Sequence, residues 1–270
     1  MEQARISRIG QVKVYTGKCF RVFVNEKGWK NFITSGIIAI IISSVIGKNM
    51  FAQPKETASG AFALVCACIW MGIFNSIQSI CKERAIIKRE HRTGLHISSY
   101  ITAHMIYEMA LCFVEALIAV IIVCIIRGLP EKGIFISSFI ELLITFFLII
   151  FASDALGLLV SCVVKKENTA MTVMPFVLIV QLVMSGFLFP LEGIMSSVAN
   201  LTISKWGVNA ICSISNVNKM YRELGAPPIS DYDFNTGHIT QLWMILIVFA
   251  LIYGIIGIVF LKLFIDKDKR

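Results

Sequence analysis

Charge is scarce in this chain. Asp, Glu, Lys and Arg make up 16% of its 270 residues, against about a quarter in a soluble domain. A solvated globular surface for the whole chain is thereby excluded. Hydrophobic residues reach 57%, and the mean hydropathy is +0.78. Residues 1–31 are polar and basic and lack an early apolar core, so no signal peptide is expected. Catalytic signatures are also missing. There is no His-Glu-x-x-His, no Gly-x-Ser-x-Gly and no Walker A phosphate loop. Work done against a gradient would therefore draw its energy from an ion gradient or from another chain. No internal repeat or low-complexity tract is present.

The net charge is +8, but its distribution argues against a nucleic-acid partner. The charges flank apolar runs, and no aromatic-basic interleaving is found on a soluble face. Six apolar runs stand out, at roughly 32–47, 58–80, 99–126, 134–164, 170–189 and 239–261. Several approach or exceed the ~20 residues that cross a bilayer as a helix. They are continuously apolar and lack the alternation of barrel strands. The expected fold is an all-α integral membrane protein with six transmembrane helices.

Lys and Arg are unevenly shared between the two sides. The segments 1–31, 81–98, 165–169 and 262–270 hold 18 of the 25, and the segments 48–57, 127–133 and 190–238 hold 7. The rich side is read as cytoplasmic, with both termini inside, in the plasma membrane. Within 17–31, Phe20, Phe23, Val24 and Trp29 mix with Lys18, Arg21, Lys27 and Lys30. That composition fits an amphipathic connecting helix at the inner interface. The domain division is a lead-in at 1–31, a six-helix transmembrane bundle at 32–265 and a tail at 266–270. The bundle includes an inner loop at 81–98 and an outer loop at 190–238. Half-apolar stretches at 193–199 and 206–214 read as re-entrant or interfacial elements.

Eight cysteines occur, at 19, 66, 68, 81, 112, 124, 162 and 212. Most lie in apolar runs, where Cys acts as a small hydrophobe. Cys66 and Cys68 lack partners at zinc-ligand spacing. Cys212 alone falls in the outer loop and is expected to be a free thiol. A bridge to a second copy is the alternative. His96, Tyr100, His104 and Glu108 recur every four residues and share one helix face. Glu108, Glu115, Glu141 and Asp154 lie inside spans that hold no Lys or Arg. Each costs about 2.5–3.5 kcal/mol at the bilayer centre. They are expected near an interface or beside polar partners such as Asn75, Gln78 or Gln181.

The segment between the second and third runs carries the most specific pattern. Glu83-Arg84, then Arg89-Glu90, then Gly94 lead into Ser98-Ser99-Tyr100. This order resembles the loop between the second and third spans of ABCG-like exporters, the type-2 ABC transporter permeases. Tyr107-Glu108 falls where that family has an acid near the middle of the third span, but its following proline is missing here. Ser185-Gly186-Phe187-Leu188-Phe189-Pro190 resembles the family segment that enters a re-entrant outer loop.

The resemblance covers essentially the whole chain. It implies the membrane subunit of an ATP-driven exporter, not itself an enzyme. Two permease copies would surround a substrate path, and a partner ATPase would bind ATP and Mg. The loop at 81–98 would be a coupling helix. Glu83, Arg84, Arg89, Glu90 and Gly94 would make its contacts to the ATPase. Phe187 and Leu188 would form an outer valve. The slot of the family's aromatic clamp falls near Met71, with Phe74 a turn further on, so clamping of flat substrates is not expected. The substrate could be a small molecule, a lipid or a peptide. Two rivals stand beside this reading. One is a gradient-driven carrier that uses the intramembrane acids. The other is a non-transporting immunity or assembly protein.

Overall fold

A computed structural model describes residues 7–189 and 192–267. Eleven α-helices are found among them, with one short 3-10 turn and no strand. Two helices lead in, α1 (Arg8–Asn25) and α2 (Lys30–Val45). Two more follow almost without interruption, α3 (Pro54–Ser76) and α4 (Ser79–Arg92). The long helices α5 (Ile97–Arg127) and α6 (Ser138–Val163) come next, then α7 (Glu167–Val183). Three short helices, α8 (Ile194–Ala199), α9 (Ile203–Ile214) and α10 (Val217–Glu223), precede the last, α11 (Thr236–Lys267).

Four helical runs are long and apolar enough to cross a membrane: Pro54–Arg92, Ile97–Arg127, Ser138–Val163 and Thr236–Lys267. The protein is thus a multi-pass membrane protein. The helices α1 and α2 qualify only as a pair bent by 73°, which would make a fifth span. At 17 residues, α7 is a shorter apolar helix.

The sequence-derived boundaries shift in three places, each for a local reason. The helix expected from 134 starts at Ser138, because Ile134, Phe135 and Ile136 donate their backbone N–H groups to the Glu141 carboxylate. A carboxylate that collects three amides holds a loop, not a helix. The helix expected to run to 189 ends at Val183, where Ser185 and a Gly186 in the left-handed region (φ 75°) turn the chain. The amphipathic lead-in spans Arg8–Asn25 rather than 17–31. It closes with Gly28 N–H bonded to the Phe23 carbonyl and Lys27 N–H to the Val24 carbonyl, with Lys27 left-handed at φ 57°. This is a Schellman ending. The expectations at residues 1–6, at Pro190 and Leu191, and at 268–270 lie outside the described residues.

The centre of the bundle is α6, packed against α3, α5 and α11. Its approach to α3 is close because both faces are small. A Cβ on Gly72 would stand 2.2 Å from the Ile150 carbonyl oxygen. One on Gly157 would stand 2.8 Å from the Ile73 carbonyl oxygen. Between them Ser76 donates to the Asp154 carbonyl at 2.6 Å. Small residues every fourth position are how helices approach within a bilayer. At the end of the bundle away from α4, α9 is almost wholly buried, wedged against α3, α6 and α11. The Gln181 side-chain oxygen accepts from Ile203 N–H (3.0 Å) and Ser204 N–H (3.3 Å), capping this helix. Through α9 the segment between α7 and α11 packs back against the bundle. Cys212 lies inside it at 0% exposure. It is a core residue rather than a loop thiol, and a bridge to a second copy has no access to it.

Replacement of Gly72 or Gly157 by Leu is expected to cost more than the ~1–3 kcal/mol typical of overpacking, because the clash is with backbone. A fluorescence melt in detergent should show either loss of folded protein or a large drop in midpoint. An unchanged melt would contradict the close approach.

Candidate functional site

The charged helix α4 continues the line of α3 past the apolar part of that run. The 39 residues Pro54–Arg92 reach about 58 Å at 1.5 Å per residue, well beyond a hydrocarbon core of ~30 Å. Ser161 of α6 marks the junction. Its hydroxyl accepts from the backbone N–H of Ile80 (3.0 Å) and Cys81 (3.1 Å). These are first-turn amides of α4, normally unpaired. A side chain from another helix thus caps α4 and fixes where it starts.

The far end closes with a second Schellman ending. Leu95 N–H bonds the Glu90 carbonyl (3.0 Å) and Gly94 N–H the His91 carbonyl (3.3 Å). Gly94 adopts φ 112°, a conformation that glycine takes without strain. Its carbonyl accepts from the Gln11 side chain of α1.

The two glutamates of the motif face inward. Glu83 accepts from Tyr100 Oη (2.7 Å) and Lys18 Nζ (3.0 Å). Burial acts to raise the Glu83 carboxyl, but these donors outweigh it and hold it below the ordinary value. Glu90 accepts from Tyr15 Oη at 2.7 Å. Both acids thus tie α4 to α1, and Glu83 also ties it to α5.

Arg84 points to the opposite side. It donates to the Val164 carbonyl (2.7 Å) and the Cys162 carbonyl (2.9 Å), and its guanidinium lies over the Phe264 ring at 5.3 Å. The last carbonyls of α6 are paired in this way. Glu83, Arg84, Glu90 and Gly94 thus all have partners within the chain. Arg89 differs: it is exposed, and it shares a face with the exposed Lys82, Ala85, Ile86 and Arg92. The clamped helix presents a basic stripe interrupted by Ala85 and Ile86.

The intramembrane acids divide by environment. Glu141 closes the loop described above. Glu115 accepts from Ser35 (2.9 Å) and Asn75 (2.7 Å), joining α5 to α2 and α3. Glu108 and Asp154 are buried in α5 and α6 at 3% and 1% exposure. Among the described residues Glu108 Oε2 and both Asp154 carboxyl oxygens have no hydrogen-bond partner. His104 stacks near Tyr100 (4.7 Å) and meets the Cys19 thiol at 3.8 Å, while His96 is exposed. The four residues of that helix face therefore have four different surroundings.

Phe187 stacks on Phe62 of α3 at 5.0 Å, and Leu188 is exposed. Met71 is buried at 3%, whereas Phe74 and Trp70 are exposed. Tyr15 and Ser161 were not singled out by sequence, and Lys18 only as one of the basic residues of the lead-in. For Ser161 a signal existed: Ser153, Gly157 and Ser161 recur every fourth residue, opposite Gly72 and Ser76.

The family described as ABC-2 type transporter matches residues 10–216. The chain belongs to the ABC-2 type transporter family. Its matched region takes in α4, the close α3–α6 contact and α9. A relative is an ABC transporter ATP-binding/permease protein of Mycobacterium tuberculosis, 24% identical over 255 residues. The alignment covers 90% of this chain and 29% of that protein. An ABC-2 membrane domain is a transport component, and here the clamped α4 is its most constrained polar element.

Loss of the Ser161 hydroxyl in Ser161→Ala leaves two first-turn amides uncapped and should cost about 1 kcal/mol. Arg84→Ala leaves two carbonyls unpaired and should cost about 1–3 kcal/mol. Limited proteolysis around 81–98 is expected to accelerate in both variants. Cleavage at the wild-type rate would count against the clamp.

Proposed function

We propose that this chain is the membrane-spanning permease subunit of an ATP-binding-cassette exporter. It works as a dimer and is driven by a nucleotide-binding domain on another chain or on a further part of the same one. That domain holds the ATP and Mg. The single observation that carries the reading is α4. It projects beyond the apolar bundle, is fixed on two sides by α1, α5, α6 and α11, and leaves Lys82, Ala85, Ile86, Arg89 and Arg92 uncovered. A rigid element with an open charged face suits the transmission of a partner's closure to the spans.

In this reading Arg89 and its neighbours meet the ATPase, while Glu83 and Glu90 carry the motion of α4 into α1. The topology has six spans, with α2 and α7 as the short ones, and both termini on the cytoplasmic side with α4. The exposed aromatic and aliphatic residues Trp70 and Phe74 on α3, and Phe176, Ile179 and Val180 on α7, face lipid or the second copy. Phe187 and Leu188 stand at the outer end of the path. The relative's description as an ATP-binding/permease protein supports the pairing with an ATPase. The lipid bilayer surrounds the dimer, and the cargo is a small molecule, a lipid or a peptide.

The charge reversals Arg89→Glu and Arg92→Glu together test the docking face. The variant should insert and melt like wild type, since both side chains are exposed. Co-purification with the ATPase partner should fall by tenfold or more, as about 1.4 kcal/mol of lost pairing requires. ATPase retention at the wild-type level would overturn the assignment of this face.

A further inference from the structure

A cavity of about 420 Å³ opens between α1, the start of α2, the α3–α4 junction and α5. Its size falls within the range of small-ligand pockets. Along α5 its lining runs from His104 to Leu111, about 10 Å of helix. The two ends carry opposite character. Lys27, Lys30 and Lys82 stand at the mouth, all exposed and without an ion-pair partner among the described residues, beside the exposed Glu26. Lys18, also at the wall, is neutralised by Glu83. At the deep end lie Glu108 and His104, both more than nine-tenths buried. Among the described residues Glu108 Oε2 and His104 Nδ1 have no hydrogen-bond partner. Both atoms are closed to solvent, and Glu108 meets the cavity through the rest of its side chain.

A second observation concerns Lys27. It occupies the left-handed position of the Schellman ending of α1, where glycine is the unstrained choice. A lysine there carries a conformational penalty. Backbone strain of this kind points from an observed outlier toward a function for the side chain. Here that side chain sits at the mouth of the cavity.

We infer that this cavity binds the headgroup of an aminophospholipid, with its phosphate on Lys27, Lys30 and Lys82 and its primary ammonium at Glu108. Juxtamembrane lysines attract phosphate, and a primary ammonium can donate to a carboxylate that lines the cavity. Phe74 borders the cavity and is exposed, offering an apolar edge along which acyl chains can lie. The headgroup enters ammonium first. The leaflet concerned, the inner one, rests on the topology proposed above, but the binding chemistry does not.

The test uses the delipidated full chain in detergent, with native mass spectrometry and thermal shift as readouts. Phosphatidylethanolamine, phosphatidylglycerol, phosphatidylcholine and soluble phosphoethanolamine are the probes. Phosphatidylethanolamine should be retained over the other three. Lys27→Gly with Lys82→Gln should weaken it by roughly tenfold or more, while the lipid-free melt stays or rises because the strained position is relieved. Glu108→Gln should erase the preference for phosphatidylethanolamine over phosphatidylglycerol. Equal retention of all three lipids, unchanged affinity in the lysine variant, or equal binding of soluble phosphoethanolamine would each overturn the proposal. These readouts need no ATPase, so they stand or fall apart from the proposed transport role.

Discussion

The architecture depends on how closely α3 and α6 approach. Gly72 and Gly157 let each helix touch the other's backbone, and Ser76 seals the contact to the Asp154 carbonyl. The same face of α6 then reaches α4. Ser161 caps its first turn, and the carbonyls of Cys162 and Val164 receive Arg84. From Ile150 to Val164, one edge of a central helix sets the line of α3 and the start and direction of α4. In a bilayer, where apolar side chains gain little by leaving lipid, such close polar and backbone contacts carry much of the specificity.

The helix α4 is amphipathic in charge rather than in apolarity alone. Its inner face sends Glu83 and Glu90 to Tyr15, Lys18 and Tyr100, and buries Ile80 and Ile87. Its outer face is basic. Glu83 and Glu90 hold α1. In the proposed function a push on α4 is shared with the bent α1–α2 pair, with α5 through Tyr100, and with α6 and α11 through Arg84. The lead-in helix therefore belongs to the same mechanical unit as α4. The cavity at their junction is open to change whenever this unit moves.

Much of the fold was legible in the sequence. The long apolar runs marked α3, α5, α6 and α11. What was not legible had physical causes. The start of α6 was misplaced because Ile134, Phe135 and Ile136 look like span residues, yet their amides are claimed by Glu141. Cys212 looked loop-borne because α9 is short, though its helix is buried on all sides. The direction of Glu83 and Glu90 depended on which of two adjacent isoleucines faces the bundle. Ile87 is buried and Ile86 is exposed, and that single-residue phase turns both acids inward. Sequence spacing alone places the motif on a helix but does not choose its buried side.

The most direct test places single cysteines on α4 in an otherwise cysteine-free chain and cross-links them in the presence of ATPase. Positions 86 and 89 lie on the uncovered face, position 87 on the buried one. Cross-links to the ATPase at 86 and 89 with none at 87 are the predicted result. Absence of cross-links at 86 and 89, in a protein that inserts and binds the ATPase, would contradict the account.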